Sequence, residues 1–124
     1  MAVSLYQVAV DAHDPKALAT FWTQVLDWQI VYEDAEEVVI SRDADGSTLP
    51  VIAFLAVPEA KAGKNRLHFD ITPDGDQQAE VDRIIALGAR PADVGQGPDV
   101  TWKVLADTEG NEFCVLRRRT APLD

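Results

Sequence analysis

One short segment of the sequence, residues 66–71, alternates polar and apolar side chains and contains a histidine and an aspartate. These two residue types offer acid, base or metal-binding chemistry. His68 and Asp70 fall on one face of this segment and apolar residues fall on the other, as in a half-buried strand. Imidazole titrates near neutral pH, so His68 could act as a general acid or base, bind a metal ion, or form hydrogen bonds in a wet pocket. Asp70 could orient His68, attract a cation, or pair with Arg66.

A second pair of reactive side chains lies near the end of the chain. Glu112 and Cys114 are two residues apart in a segment that alternates like a strand, so they share a face. Cys114 is the single cysteine and has no partner for an internal disulfide. Its apolar neighbours favour a buried, unreactive thiol.

Tryptophan is the third residue type with possible binding chemistry. Trp22 lies on the apolar stripe of a predicted helix and is expected in the core. Trp28 and Trp102 lie in predicted strands, where either could line a pocket and stack on a flat or cationic ligand. The spacing shows no Ser–His or Cys–His catalytic arrangement and no glycine-rich phosphate loop.

Two similar runs of elements must position these side chains. In each run a strand is followed by a helix and then by three short strands. Asp14-Pro15 and Asp74-Gly75-Asp76 mark the helix starts, because an aspartate there accepts hydrogen bonds from the free amides of the first turn. The apolar stripes predicted for the helices are Leu18, Phe21, Trp22 and Val25 in the first, and Val81, Ile84 and Ile85 in the second. The predicted strands cover residues 3–11, 28–33, 37–42, 50–57, 66–71, 90–94, 100–105 and 112–117.

The repeated order predicts an α+β fold built from two βαβββ modules. An offset of about 61 residues places Gln7 on His68 and Ala53 on Cys114. A ferredoxin-like sandwich is the alternative, but it would contain fewer strands per helix. The predicted organisation is a single domain over residues 1–120, with module one at 3–57, a linker at 58–65, module two at 66–117 and a tail at 118–124.

Composition limits the classes of function. The chain has 124 residues, 47% of them hydrophobic, and a formal net charge of −10. Such a charge repels phosphate backbones, which argues against nucleic-acid binding and favours a neutral or cationic small molecule as the partner. The sequence has no basic signal-peptide region and no apolar run near the ~20 residues that span a bilayer. We therefore expect a cytoplasmic protein that does not bind membranes.

Three phrases of the sequence together resemble the glyoxalase / bleomycin-resistance / extradiol-dioxygenase (vicinal oxygen chelate) superfamily. They are DAHDPKALATFWTQVLDW, GKNRLHFDI and DTEGNEFCVL, the last with Thr108 where the superfamily usually has proline. The resemblance implies that two strongly curved sheets form a cup, with the helices outside and the ligand or metal inside. It also implies a homodimer. Strand alternation would then direct Tyr6 and Leu67 towards the helices, and Gln7 and His68 into the cup.

Metal-dependent members of this superfamily place ligands on the first and last strands of each module. Carried onto this sequence, the first-strand positions are Gln7 and His68. The last-strand positions are Ala53 and Cys114, where the superfamily typically has glutamate. Alanine has no ligand atom, and a thiolate suits softer metals than an oxygen and imidazole site does. Glu112 could substitute, so a metal site would use Gln7, His68 and Glu112.

The missing carboxylates favour a metal-free pocket. Leu55 shares a face with Ala53 and makes that side apolar. The predicted pocket residues are Gln7, Ala53, Leu55, His68, Asp70, Trp102, Glu112 and Cys114. The resulting hypothesis is a small-molecule-binding protein of the sequestering or resistance type, with a degenerate metal site and no cofactor. The alternatives are a metal-dependent lyase, isomerase or dioxygenase, and a metal-free enzyme that uses His68 as its base.

Overall fold

The computed structural model describes residues 2–118 of the chain. The chain divides into two compact units, one ending at Ala60 and the other beginning at Lys61. The first unit contains β1 (Gln7–Ala12), α1 (Pro15–Leu26), β2 (Gln29–Glu33), β3 (Glu37–Ser41) and β4 (Val51–Ala56). The second contains β5 (Asp70–Ile71), α2 (Gln77–Ala86), β6 (Arg90–Pro91), β7 (Lys103–Ala106) and β8 (Glu112–Val115). Apart from residue 118, the predicted tail lies outside the described residues.

The two units have the same sheet topology. The strand order is β1-β4-β3-β2 in the first and β5-β8-β7-β6 in the second. In each, the first strand runs parallel to the fourth, and the other pairs are antiparallel. This arrangement confirms the α+β fold with two βαβββ modules, and the ferredoxin-like alternative is wrong.

Helix α1 begins and ends where local chemistry predicts. The Asp14 side chain accepts a hydrogen bond from the Ala17 amide at 3.1 Å, and Pro15 takes the first helical position. Asp27 ends the helix in the left-handed conformation, with φ at 57°. The predicted apolar stripe is buried, and α1 packs with it against β3 and β4. The stripe residues are Leu18, Phe21, Trp22 and Val25.

Helix α2 follows the same rules over a shorter length. Asp76 caps it by accepting a hydrogen bond from the Ala79 amide at 2.9 Å. Val81 and Ile84 are buried as predicted. Ile85 is 36% exposed, so the predicted apolar stripe is buried only in part. The strands β5 and β6 have only two residues each, and this sheet offers the helix a smaller surface than the sheet of the first unit does.

Three strands begin at least three residues later than the alternation of the sequence predicts. β1 begins at Gln7, β5 at Asp70 and β7 at Lys103, instead of residues 3, 66 and 100, so Trp102 precedes its predicted strand. Tyr6 is consequently 64% exposed and Leu67 is 85% exposed, and the prediction that they pack against the helices is wrong. Alternation determines which face a side chain occupies only where the backbone is paired in a ladder.

The turn before β8 is held by a buried carboxylate. Asp107 is 1% exposed and accepts hydrogen bonds from the amides of Glu109 and Asn111 at 2.9 and 3.0 Å. Gly110 has a φ of 87°, a conformation that glycine adopts without strain. The predicted turn from Asp107 to Asn111 is therefore present, and it determines where β8 begins.

The described helices are short. Those found within residues 2–118 have 12 and 10 residues, and neither has the length and apolar character needed to cross a membrane.

Candidate functional site

A cavity of about 430 Å³ lies in the second unit. Five of the predicted pocket residues line it: His68, Asp70, Trp102, Glu112 and Cys114. The other three predicted residues belong to the first unit. There Gln7 is half-buried opposite Val51, Ala53 is fully buried on β4, and Leu55 is half-buried two residues further along. Their predicted role in a pocket remains a prediction.

His68, Asp70 and Cys114 form a compact cluster in this cavity. Asp70 on β5 is the register partner of Cys114 on the parallel strand β8. His68 Nε2 lies 3.1 Å from Asp70 Oδ1, and the side chains of this pair are 47% and 49% exposed. One potential ligand atom from each of the three residues lies within 4.8 Å of the others. The strand pairing therefore produces the cluster, because it sets Asp70 beside Cys114.

The Cys114 thiol is held in its neutral form. Burial raises the pKa of Cys114, because the thiolate would lose its hydration. The negative charge of Asp70 and its hydrogen bond to the thiol raise that pKa further, and Lys64 opposes the effect only in part. The prediction of an unreactive thiol agrees with this environment, since the nucleophile is the thiolate.

Glu112 forms an ion pair with Lys61. The Nζ atom of Lys61 lies 3.2 Å from Oε2 and 3.3 Å from Oε1 of Glu112. Burial alone would raise the pKa of Glu112, but its own backbone amide, Lys61 and the Asn65 amide together outweigh burial and lower it. A metal ion at Glu112 would have to compete with Lys61. The prediction that Glu112 is a metal ligand stays untested.

One wall of the cavity comes from the loop between β6 and β7. Val94 and Trp102 line the cavity and are 38% and 39% exposed. Gln96 stabilises the loop by accepting a hydrogen bond from the Val94 amide at 2.9 Å and donating one to the Ala92 carbonyl at 3.2 Å. Apolar side chains left accessible in a concavity are typical of ligand sites.

This loop is longer than its counterpart in the first unit. The pair Ile30–Ile40 spans ten positions in the first unit, and the pair Pro91–Leu105 at the corresponding place spans fourteen. The longer loop supplies Val94, Gly95 and Gln96 to the lining of the cavity.

Sequence reasoning missed several residues of the cavity. Val104 and Leu116 could have been found by strand alternation, because each is two residues from a predicted pocket residue. Lys64 and Asn65 were assigned to the linker, and Val94 and Gln96 lie in a loop without periodicity. No local pattern predicts that these four line the cavity.

The donor set of the cavity suits one kind of metal. Imidazole, carboxylate and thiolate are all ligands of zinc, and three protein ligands with an open position are usual in its catalytic sites. Harder cations prefer sites richer in oxygen. Zinc binding would require Cys114 to lose the proton that its surroundings favour. His68, Asp70 and Cys114 therefore fit a zinc ion, provided that the Cys114 thiol is deprotonated.

The fold and cavity define a class of protein: a duplicated βαβββ chain with a ligand-sized pocket. The family model described as Glyoxalase-like domain matches residues 7–116. The chain therefore belongs to the glyoxalase-like domain family, and the resemblance seen in the sequence is confirmed. No curated protein matches the chain significantly.

Solved structures share the fold at low sequence identity. A glyoxalase/bleomycin resistance protein/dioxygenase family enzyme from Burkholderia phytofirmans is 19% identical, with a TM-score of 0.73 over 94% of this chain and 100% of that one. The fosfomycin resistance protein FosX from Listeria monocytogenes, solved with Mn(II) and 1S,2S-dihydroxypropylphosphonic acid, is 12% identical, with a TM-score of 0.69 over 97% and 93%. The trypanothione-dependent glyoxalase I of Leishmania major is 11% identical, with a TM-score of 0.65 over 96% and 89%.

Proposed function

We propose that the protein binds a small organic molecule in the cavity of the second unit, without a metal ion. The ligand class that fits is an apolar or aromatic body carrying a basic nitrogen. The observation that carries this proposal is the presence of the half-exposed Asp70 carboxylate and the accessible Trp102 ring in one cavity of about 430 Å³.

The charge of the lining groups supports a basic ligand. Lys61 pairs with Glu112, and the lining also contains the carboxylate of Asp70 and the ammonium group of Lys64. Asp70 Oδ1 lies 3.1 Å from His68 Nε2, so a cationic ligand would bind the carboxylate beside the imidazole. Asp70 can accept a hydrogen bond from an ammonium or amidinium group, which is stronger than one from a neutral donor. Lys64 would favour an acceptor oxygen elsewhere on the same ligand.

The net charge of the second unit gives little selectivity for a cation by itself. The first 60 residues contain ten acidic and two basic residues, whereas residues 61–124 contain eleven acidic and nine basic ones. Most of the net negative charge therefore belongs to the unit without the described cavity. Selection of a cation rests on Asp70 itself.

Four matched fragments test the proposal: benzylamine, cyclohexylmethylamine, benzyl alcohol and benzoate. Binding is followed by chemical-shift changes of the backbone amides around the cavity. We expect benzylamine to bind most tightly, since it offers both a cation for Asp70 and a ring for Trp102. Asp70→Asn should weaken benzylamine binding and leave benzyl alcohol unaffected. Asp82→Asn, an exposed change on α2, is the control and should alter neither.

The outcomes separate the ligand class from the function itself. Tighter binding of benzoate than of benzylamine would show that the cavity binds ligands but that the basic nitrogen is wrong. If none of the four fragments shifts amides around the cavity, small-molecule binding at this site is wrong.

A metal-dependent enzyme is the second candidate function, favoured by the cluster of His68, Asp70 and Cys114 within 4.8 Å. A bound zinc ion would supply Lewis-acid chemistry, and the three residues would hold it. The metal-free proposal predicts less than about one equivalent of divalent metal in the purified protein, because a metal ion would have to displace the proton that the surroundings of Cys114 favour. Stoichiometric metal by elemental analysis, lost in His68→Ala, would support the second candidate instead.

Thermal shift measurements provide an independent comparison. An ion that binds the folded protein raises its melting temperature. Under the metal-free proposal, zinc and manganese chlorides leave the melting temperature of the wild type and of Cys114→Ser equally unchanged. A zinc-dependent increase that Cys114→Ser abolishes would overturn the metal-free proposal.

A further inference from the structure

The segment of residues 61–65, here called the strap, lies at the rim of the cavity. It contains no helix or strand, and Ala62, Gly63 and Lys64 are exposed. Lys64 and Asn65 line the cavity together with Glu112. The strap therefore forms part of the cavity wall without belonging to the sheet.

Side chains attach the strap to Glu112, the first residue of β8. The Lys61 ammonium contacts both carboxylate oxygens of Glu112, at 3.2 and 3.3 Å, and also donates a hydrogen bond to the Gly63 carbonyl. Asn65 Nδ2 donates a hydrogen bond to the backbone carbonyl of Glu112 at 2.9 Å. The side chains of Lys61 and Glu112 are 22% and 17% exposed, so water screens this ion pair less than it screens a surface pair.

Beyond the strap, backbone hydrogen bonds replace the side-chain contacts to β8. Further along, the Cys114 amide donates to the Phe69 carbonyl at 2.9 Å, and the ladder of β5 and β8 continues from Asp70. The strap has no such ladder and no buried apolar side chain. Segments with few buried apolar contacts open at a lower free energy than paired strands do. The strap can therefore leave Glu112 while the sheet stays intact.

We propose that the strap is a gate of the cavity, held closed by the ion pair between Lys61 and Glu112. Glu112 is then a positioning residue: it acts through Lys61 and Asn65 and does not contact the ligand. When the ion pair breaks, Lys64 and Asn65 move away from the cavity wall and the Cys114 side chain, which is 9% exposed, becomes accessible beside the half-exposed His68 and Asp70.

Cys114 supplies the readout for the gate. It is the single cysteine, it lines the cavity and it is 9% exposed. Iodoacetamide is a small neutral reagent, so a change of charge in the strap does not steer it. Its rate of reaction with Cys114, followed by mass spectrometry, reports how often the cavity opens. This measurement uses no ligand and is independent of the proposed function.

Lys61→Met removes the ion pair and should speed the alkylation of Cys114 roughly fivefold, as expected for loss of a single ion pair. Rates are compared at about pH 8, where lysine is protonated, and each is divided by the fraction of thiolate that the pH profile of the same variant gives. Lys103→Met, which removes an exposed lysine of β7, should leave the rate unchanged. Asn65→Ala removes the second attachment and should also speed the reaction.

A charge exchange distinguishes gating from general loosening. The double variant Lys61→Glu with Glu112→Lys restores an ion pair and should return the rate towards that of the wild type. The gate is wrong if Lys61→Met is folded and reacts at the wild-type rate. It is also wrong if the double variant reacts as fast as Lys61→Met.

Discussion

Asp70 and Cys114 are register partners on neighbouring parallel strands, and they correspond to Ala9 and Ala53 in the first unit. Asp70 and Cys114 each lie 61 positions after their counterparts in the first unit. The two units therefore share the backbone arrangement at this place. The first unit has two methyl groups where the second has a carboxylate and a thiol. The fold therefore provides the position twice, and side-chain identity gives polar chemistry to the second copy.

The stripe of α1 should dominate the stability of the first unit. Leu18 and Phe21 are 0% and 3% exposed, so Leu18→Ala or Phe21→Ala should lower the free energy of unfolding by about 2–5 kcal/mol. Urea denaturation measures this change. Thr20→Ala, on the exposed side of the same helix, should stay within about 0.5 kcal/mol of the wild type. Unchanged urea midpoints in both core variants would contradict the packing of α1.

The Asp107 carboxylate should be needed for the turn before β8. Asp107→Ala leaves the amides of Glu109 and Asn111 without their acceptor, and should cost about 1.5–3 kcal/mol in urea denaturation. Asp107→Asn keeps one acceptor oxygen and should cost less. Asp99→Ala, at an exposed position of the same unit, serves as the control. Equal stability of the two Asp107 variants would show that the hydrogen bonds contribute little.

The reactivity of Cys114 should depend on pH in a way that Asp70 controls. Burial and Asp70 both raise the pKa of Cys114, so its reaction with iodoacetamide should begin at a higher pH than that of a free thiol. Asp70→Asn removes a negative charge, lowers that pKa, and should shift the rate profile to lower pH. A profile that stays in place, or moves to higher pH, would contradict the influence of Asp70.

The contribution of Glu112 to the stability of the protein should be lost at acidic pH. Its pKa is lower in the folded protein than its ordinary value, so its contribution is fully present above that ordinary value and is lost as pH falls through the lowered one. The difference in unfolding free energy between the wild type and Glu112→Gln should therefore shrink from about pH 7 to about pH 3. The Lys61→Met background should reduce the effect. A difference that is constant across this range would contradict the ion pair.

Helix boundaries and stripes were predictable because their causes are local. Asp14 and Asp76 cap helices through amides three residues away, and the burial of Leu18 and Phe21 follows from helical spacing. Strand lengths were less predictable. Tyr6 and Leu67 belong to alternating segments, but the ladders that would bury them do not extend so far.

The sequence by itself determined the order of elements, the helix caps, the turn at Asp107 and the family, because each depends on residues close together in the chain. Only the tertiary structure decided that Lys61 engages Glu112, that Asp70 lies beside Cys114, and that the loop carrying Val94 forms a cavity wall. The first contact joins residues 51 positions apart and the second joins residues 44 positions apart. The third places a loop without periodicity at the cavity. Local propensity carries no information about such contacts, because they arise only when the strands pair.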